Sequence, residues 1–187
     1  MYHAAASIEF QTLMQMEDET LKRMLLNLRA ANSPSNMQKK VEIVEVLEAR
    51  GTRGLDLSYQ NLHEVVFSRL DLSAVNLRGA YLSGAKFKQV DLSHADLKDC
   101  CLIKTQFEQC HFESSKLIRT NFFAAKLMDC NWVNITADAA SFENATLERT
   151  RFDNVDLRFS TGLYDKNIRN SFIFGRFLLP NLRQVSS

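Results

Sequence analysis

From Leu57 to Leu157 an apolar residue stands at every fifth position, in one unbroken register. The centres run Leu57, Leu62, Phe67, Leu72, Leu77 and onward through Phe107, Phe112, Trp132 and Phe152. Ala137 is the single departure from Leu, Phe and Trp. An amphipathic helix repeats about every 3.6 residues and a half-buried strand every two, so neither accounts for this spacing. A short fixed period calls for a solenoid, in which each repeat buries its apolar face against neighbouring coils.

A second position confirms the first. Two residues before most centres stands a small residue, such as Ala80, Ala85, Ala95, Cys100, Thr105, Cys110, Thr120 or Cys130. Leu55, Gln60, Leu70 and Ile135 are the exceptions. Asp or Asn often precedes the centre, as at Asp56, Asn61, Asp71, Asn76, Asp91, Asp96, Asn121, Asn131 and Asp156. Short polar side chains of this kind bond to nearby backbone at tight corners.

These motifs, "VDLSHADLKDC" and "AVNLRGAYLSGAKF" among them, resemble the pentapeptide repeat family over about the middle three-fifths of the chain. The resemblance implies a mainly β fold: a right-handed, four-sided parallel β-helix with four pentapeptides per coil. It also implies that centres and small residues point inward and the other three positions outward. On that geometry residues twenty apart stack. One ladder reads Phe67, Phe87, Phe107, Leu127, Leu147, and another reads Leu72, Leu92, Phe112, Trp132, Phe152. About five coils span residues 55–160, or about 25 Å at the usual strand spacing. The indole of Trp132 is expected to fill the space left by Ala137, since cores tolerate such compensation when volume is kept.

Residues 1–54 do not repeat. Asp18 is expected to cap a helix running to about Asn32, with Leu21, Met24, Leu25 and Leu28 on one face. Ile8, Phe10, Leu13 and Met14 predict an earlier turn or two. After the turn at Asn32–Ser35, Ser35 and Gln38 form a candidate capping box. Met37, Val41, Val44 and Leu47 give the next helix its stripe, and Gly51 suits its end. These helices either cover the open first coil, whose bare edge would recruit other chains, or dock a partner.

Residues 161–187 lose clean repetition. "SFIFGRFLLP" is apolar, and Phe172, Phe177 and Leu182 return to the five-residue register. Phe172, Phe174, Phe177 and Leu178 are candidates for a hydrophobic cap on the last coil. The resemblance adds the alternative of a homodimer through this end.

Outward positions are mostly polar. One coil departs, with Ile118, Phe123, Met128 and Val133 after its four centres and Ile103 twenty residues before Phe123. This apolar belt is the candidate interaction patch, or the seat of a folded-back terminus.

Net charge is +1, so no global field draws nucleic acid or membrane. No apolar run approaches the roughly 20 residues of a membrane span. The start, MYHAAASIEF, lacks the pattern of a secretory leader. Cys100, Cys110 and Cys130 hold inward small positions, where free Cys acts as a small hydrophobe, and a reducing, cytoplasmic setting is expected. No phosphate loop or metal-ligand spacing is present. His63, His94 and His111 fall at different repeat positions, and Cys101 faces outward without a clustered base. No catalytic residue, cofactor or metal is expected.

The expected function is a non-enzymatic protein-interaction or adaptor module with an unknown protein partner. The resemblance supplies two alternatives. One is the targeting region of a bacterial effector, delivered to a host cell without a cleaved leader. The other is a DNA mimic that binds a topoisomerase. Residues 55–160 carry 14 Asp/Glu and 12 Lys/Arg. That balance disfavours mimicry of a duplex bearing about one charge per 1.7 Å.

Overall fold

Each pentapeptide takes the chain around one corner. Two residues after a centre the backbone enters the left-handed region, from Tyr59 (φ 56°) to Asn154 (φ 53°). Most of these residues are not glycine, and each left-handed residue costs roughly 1–2 kcal/mol. Local bonds offset the cost. Gln60 N–H donates to Leu57 O at 3.3 Å and Ala80 N–H to Leu77 O at 2.9 Å, closing the turn. The preceding Asp or Asn adds a second bond: Ser58 N–H donates to Asp56 Oδ1 (3.0 Å), Ser93 N–H to Asp91 Oδ1 (2.8 Å) and Phe123 N–H to Asn121 Oδ1 (2.9 Å). Asn131 is the exception, its Oδ1 buried and unpaired.

Four corners close a coil of twenty residues. The computed structural model describes residues 8–28, 30–51 and 53–180. It shows a mainly β, four-sided parallel solenoid of about six turns behind a short helical region. One wall is a sheet of β1 (Val66–Ser68), β2 (Lys86–Lys88), β3 (Gln106–Glu108), β4 (Lys126–Met128), β6 (Thr146–Glu148) and β8 (Ile168–Arg169). Bending around the next corner at Asn134, Asn154 and Gly175, β5 (Asn131–Thr136), β7 (Arg151–Asp156) and β9 (Phe172–Leu178) form a second sheet that spans two walls. Phe67, Phe87, Phe107, Leu127 and Leu147 stand in register as the twenty-residue rule requires. The Phe67 and Phe87 rings are 5.4 Å apart, and those of Phe87 and Phe107 are 4.9 Å apart.

The inside is apolar and narrow. Every centre and every small residue is buried, including the exceptions Leu55, Gln60, Leu70 and Ile135. Several inward polar residues return their hydrogen bonds to main chain: Thr105 Oγ1 to Leu82 O (2.9 Å), Thr120 Oγ1 to Leu97 O (2.8 Å) and Cys100 Sγ to Leu77 O (2.8 Å), whereas Ser115 Oγ is buried without a partner. Burial pushes the Cys100 thiol up to about 12. Trp132 links both aromatic columns of the C-terminal half, with ring centroids 5.7 Å from Phe112, 6.1 Å from Phe122, 6.0 Å from Phe142 and 6.0 Å from Phe152. Its Nε1 has no acceptor.

The helices sit beneath the first coil and share its core. They are α1 (Ile8–Leu13), α2 (Asp18–Asn27) and α3 (Pro34–Ala49). Three local expectations are corrected. Glu17 occupies the N-cap of α2 without a side-chain bond, while Asp18 Oδ1 instead accepts from Arg50 Nη1 at 2.6 Å. That helix ends at Asn27 rather than Asn32. Ser33, not Ser35, caps α3, because Pro34 suits the first helical position; Asn36 N–H donates to Ser33 Oγ. Gly51 (φ 75°) takes the left-handed position beyond α3. Far more of α3 is buried than one stripe, with Lys40, Ile43 and Val46 joining Met37, Val41, Val44 and Leu47.

At the other end the register slips. Ser141 still stacks beneath Thr161, but Leu147 lies under Ile168, Phe152 under Ile173 and Val155 under Phe177. The spacing has grown from twenty to twenty-one and then twenty-two. Phe172 therefore stands over Arg151 and points outward, not into the centre column. Phe177 does turn inward, its ring 4.8 Å from that of Phe152. Leu182 lies outside the described residues.

Candidate functional site: a low-charge face of the solenoid

The four walls differ in what they present. Ion pairs tie down charge on three of them, between coils on two walls and within a coil on the third. Arg119 Nε and Nη2 donate to the carboxylate of Asp99 at 2.6 and 2.9 Å, and Arg149 holds Asp129 in the same way at 2.8 and 2.9 Å. These guanidinium bonds keep the carboxyls of Asp99 and Asp129 below the usual carboxylate range. Lys88 pairs with Glu108 at 3.1 Å, and Arg151 with Asp153 at 2.9 Å. Such exposed pairs add little stability, but they neutralise one another locally.

The fourth wall is different. It is built by residues 61–64, 81–84, 101–104, 121–124 and 141–144. In its middle three coils it presents Tyr81, Ser83, Gly84, Cys101, Ile103, Lys104, Asn121, Phe123 and Ala124, with Lys104 the only charge. Tyr81 is 45% exposed and Phe123 40% exposed. Ile103 and Phe123 are vertical neighbours, because Lys104 N–H donates to Phe123 O at 2.8 Å. His63 stacks on Tyr81 at 5.7 Å and extends the aromatic strip downward. The surface is flat, since stacked parallel coils repeat about every 4.8 Å without a helical bulge.

The predicted belt is divided by this geometry. Residues five apart lie on successive walls, so Ile118, Phe123, Met128 and Val133 face four directions. Only Ile103 and Phe123 come together. Met128 stands between Glu108 and Glu148, and Val133 between Glu113 and Asp153. No described terminus folds over any of them: the helices lie below the first coil and β9 stacks on β7. Sequence reasoning missed Tyr81. The available signal was an aromatic at the position that Asp or Asn usually holds.

The C-terminal candidates form a separate cluster. Phe172 is 61% exposed and Phe174 49% exposed on the outermost strand, with Ile173 between them. Arg151 lies over the Phe174 ring at 4.8 Å. Phe177 and Leu178 are half-buried.

His111 stacks above Asp91 at a polar corner groove that also includes Arg69, Gln89 and Asp129. Among the described residues no cluster of three or more His, Cys, Asp or Glu could hold a metal, and no helix is long and apolar enough to cross a membrane.

Among known proteins, the family description "Pentapeptide repeats", with eight copies, matches residues 53–89, 76–113 and 91–129. No curated protein matches the chain. Solved structures that resemble it include the pentapeptide repeat protein Rfr23 from the cyanobacterium Cyanothece 51142. It is 21% identical over 70% of this chain and 95% of that one, with a TM-score of 0.38. QnrB1, a plasmid-mediated fluoroquinolone resistance protein, is 18% identical over 65% of this chain and 80% of its own, with a TM-score of 0.39. HetL, from the cyanobacterium Nostoc sp. strain PCC 7120, is 18% identical over 64% and 70%, with a TM-score of 0.19. On these matches and its twenty-residue coil, the chain carries the repeats of the pentapeptide repeat family across residues 53–129.

Proposed function

We propose that this protein is a non-enzymatic interaction scaffold that engages a protein partner through the wall carrying Tyr81, Ile103 and Phe123. The observation behind the reading is the contrast between walls: three present tied ion pairs, and the middle three coils of the fourth present aromatic and aliphatic side chains around a single lysine, with Glu64 and Glu143 on the flanking coils. Large side chains that are half-exposed on a rigid, flat support are the ones that gain most from being covered, about 25 cal/mol per Å² of apolar surface. Aromatic anchors of this kind commonly dominate binding energy. A photo-crosslinking amino acid at Ser83 tests the reading against the same label at Ala74, on another wall. Partner adducts should form from Ser83 and not from Ala74. Equal adducts from both would contradict it.

A second reading, a homodimer through the C-terminal end, is favoured by the exposed Phe172, Ile173 and Phe174 on the outermost strand. Sedimentation velocity of the wild type against Ile173→Asp distinguishes it. A dimer that the substitution dissolves supports this reading, and a wild-type monomer at all concentrations removes it.

A further inference from the structure

We propose that Cys110 and Cys130 are a built disulfide site joining the third coil to the fourth, closed when the chain folds in the presence of a disulfide oxidant. The twenty-residue register places one cysteine directly above the other. Asn131 N–H donates to Cys110 O at 2.9 Å, and Arg151 N–H donates to Cys130 O at 2.9 Å, so both residues lie in one column of stacked coils. Stacked residues in parallel strands are separated by about 4.8 Å, within the range a disulfide bridges. Each thiol otherwise has only weak, long contacts. Cys110 Sγ lies 3.5 Å from Phe87 O and from Glu108 O, and Cys130 Sγ lies 3.8 Å from Phe107 O and 3.4 Å from Met128 O. Thiol-to-thiol interaction pulls Cys110 down while burial holds Cys130 up, as expected for two sulfurs in contact.

The other cysteines do not compete. Cys100 shares its column with Ala80 and Thr120 and gives its thiol hydrogen to Leu77 O at 2.8 Å. Cys101 lies on the outer side of the same wall. All four thiols are free in this structure, and Cys110 and Cys130 are buried. Burial sets when the bond forms. A finished solenoid shields both sulfurs, whereas a chain still stacking its third and fourth coils exposes them. With oxidised glutathione as the reagent, the first thiolate attacks its disulfide, forming a mixed disulfide and releasing one reduced glutathione. The second cysteine thiolate then attacks the protein sulfur of the mixed disulfide and releases the second glutathione. The two cysteines are oxidised, one glutathione disulfide is reduced, and the two thiol protons end on the two glutathiones.

The test is to refold the full chain with oxidised glutathione and, separately, with a reducing agent, and to map disulfides by peptide mass spectrometry without reduction. The expected product has lost 2 Da, as the mass balance above requires. It should carry one Cys110–Cys130 link, keep Cys100 and Cys101 titratable, and melt higher than the reduced protein. Cys110→Val, which repeats Val90 of the same column, should fold and lose both the link and the rise in melting temperature. The same map on folded protein held with oxidised glutathione in mild urea serves if refolding yields are low. Four free thiols, stable glutathione adducts, a link through Cys100 or Cys101, or a 2 Da loss that survives Cys110→Val would each overturn the proposal.

Discussion

Lys40 Nζ donates to the main-chain oxygen of Asn61, at a position where every later coil uses an N–H from the coil below. The equivalent oxygens of Tyr81, Cys101, Asn121, Ser141 and Thr161 accept from Leu62, Leu82, Leu102, Phe122 and Phe142. The first coil has nothing beneath it, so α3 supplies the missing donor. Glu48 Oε1 does the complementary task at another corner, accepting the Asp71 N–H at 3.1 Å. In later coils that N–H bonds a carbonyl below, as Asp91 does to Leu70 O. Gln60 Nε2 ties the coil to α2 through Leu25 O at 2.7 Å. A sheet edge that would otherwise recruit other chains is thereby occupied at these corners.

That arrangement has a pH signature. Lys40 is fully buried, and burial pulls its ammonium down to about 8 from an ordinary 10.5. Between those values the unfolded chain binds the proton and the folded one does not, so stability rises with pH. The gain reaches about 3 kcal/mol when the interval is fully crossed. Urea denaturation at pH 7, 8.5 and 10 should show this rise in the wild type and a smaller slope in Lys40→Met. Equal slopes would mean that the ammonium keeps its ordinary affinity for its proton.

Two glycines at left-handed corners should respond differently to substitution. A Cβ on Gly162 (φ 71°) would sit 2.5 Å from Glu143 N, which is backbone and cannot swing away. A Cβ on Gly79 (φ 65°) would meet the Tyr59 ring, also at 2.5 Å, but a side chain can turn aside. Gly162→Ala should lose more than the roughly 1–2 kcal/mol of the left-handed strain, and Gly79→Ala about that amount. Equilibrium denaturation of the two variants would contradict this by ranking them the other way.

In the core, Ala137 occupies a column otherwise filled by Leu57, Leu77, Leu97, Leu117 and Leu157, and it is fully buried. Trp132 stands one centre before it, packed among Phe112, Phe122, Phe142 and Phe152. Ala137→Leu should therefore cost roughly 1–3 kcal/mol by overpacking. Leu97→Asp should abolish folding, because it leaves a buried charge unpaired. A more stable Ala137→Leu protein would show that the space beside Ala137 is empty.

The period of five carries most of the fold. It places every buried centre and makes Phe67, Phe87 and Phe107 stack, because one-dimensional repetition fixes neighbours by sequence distance alone. Ile103 and Phe123 are readable as a pair for the same reason. What the period hides is direction: each step of five turns a corner, so a run of apolar residues along one coil scatters around four walls. The slip after Thr161 is also silent, since one extra residue before Ile168 leaves no mark in a degenerate apolar segment. Tertiary competition decided the helix caps, as when Arg50 drew Asp18 away from the start of α2.

The interaction wall is tested most directly by Phe123→Glu, with Met128→Glu on a neighbouring wall as the control. Surface changes of this kind usually alter stability by no more than about 0.5 kcal/mol, so both variants should melt with the wild type. Quantitative affinity capture from cells expressing the protein should then show partners that wild type and Met128→Glu retain and Phe123→Glu loses. Identical retention by all three proteins, at equal melting temperatures, would contradict the account.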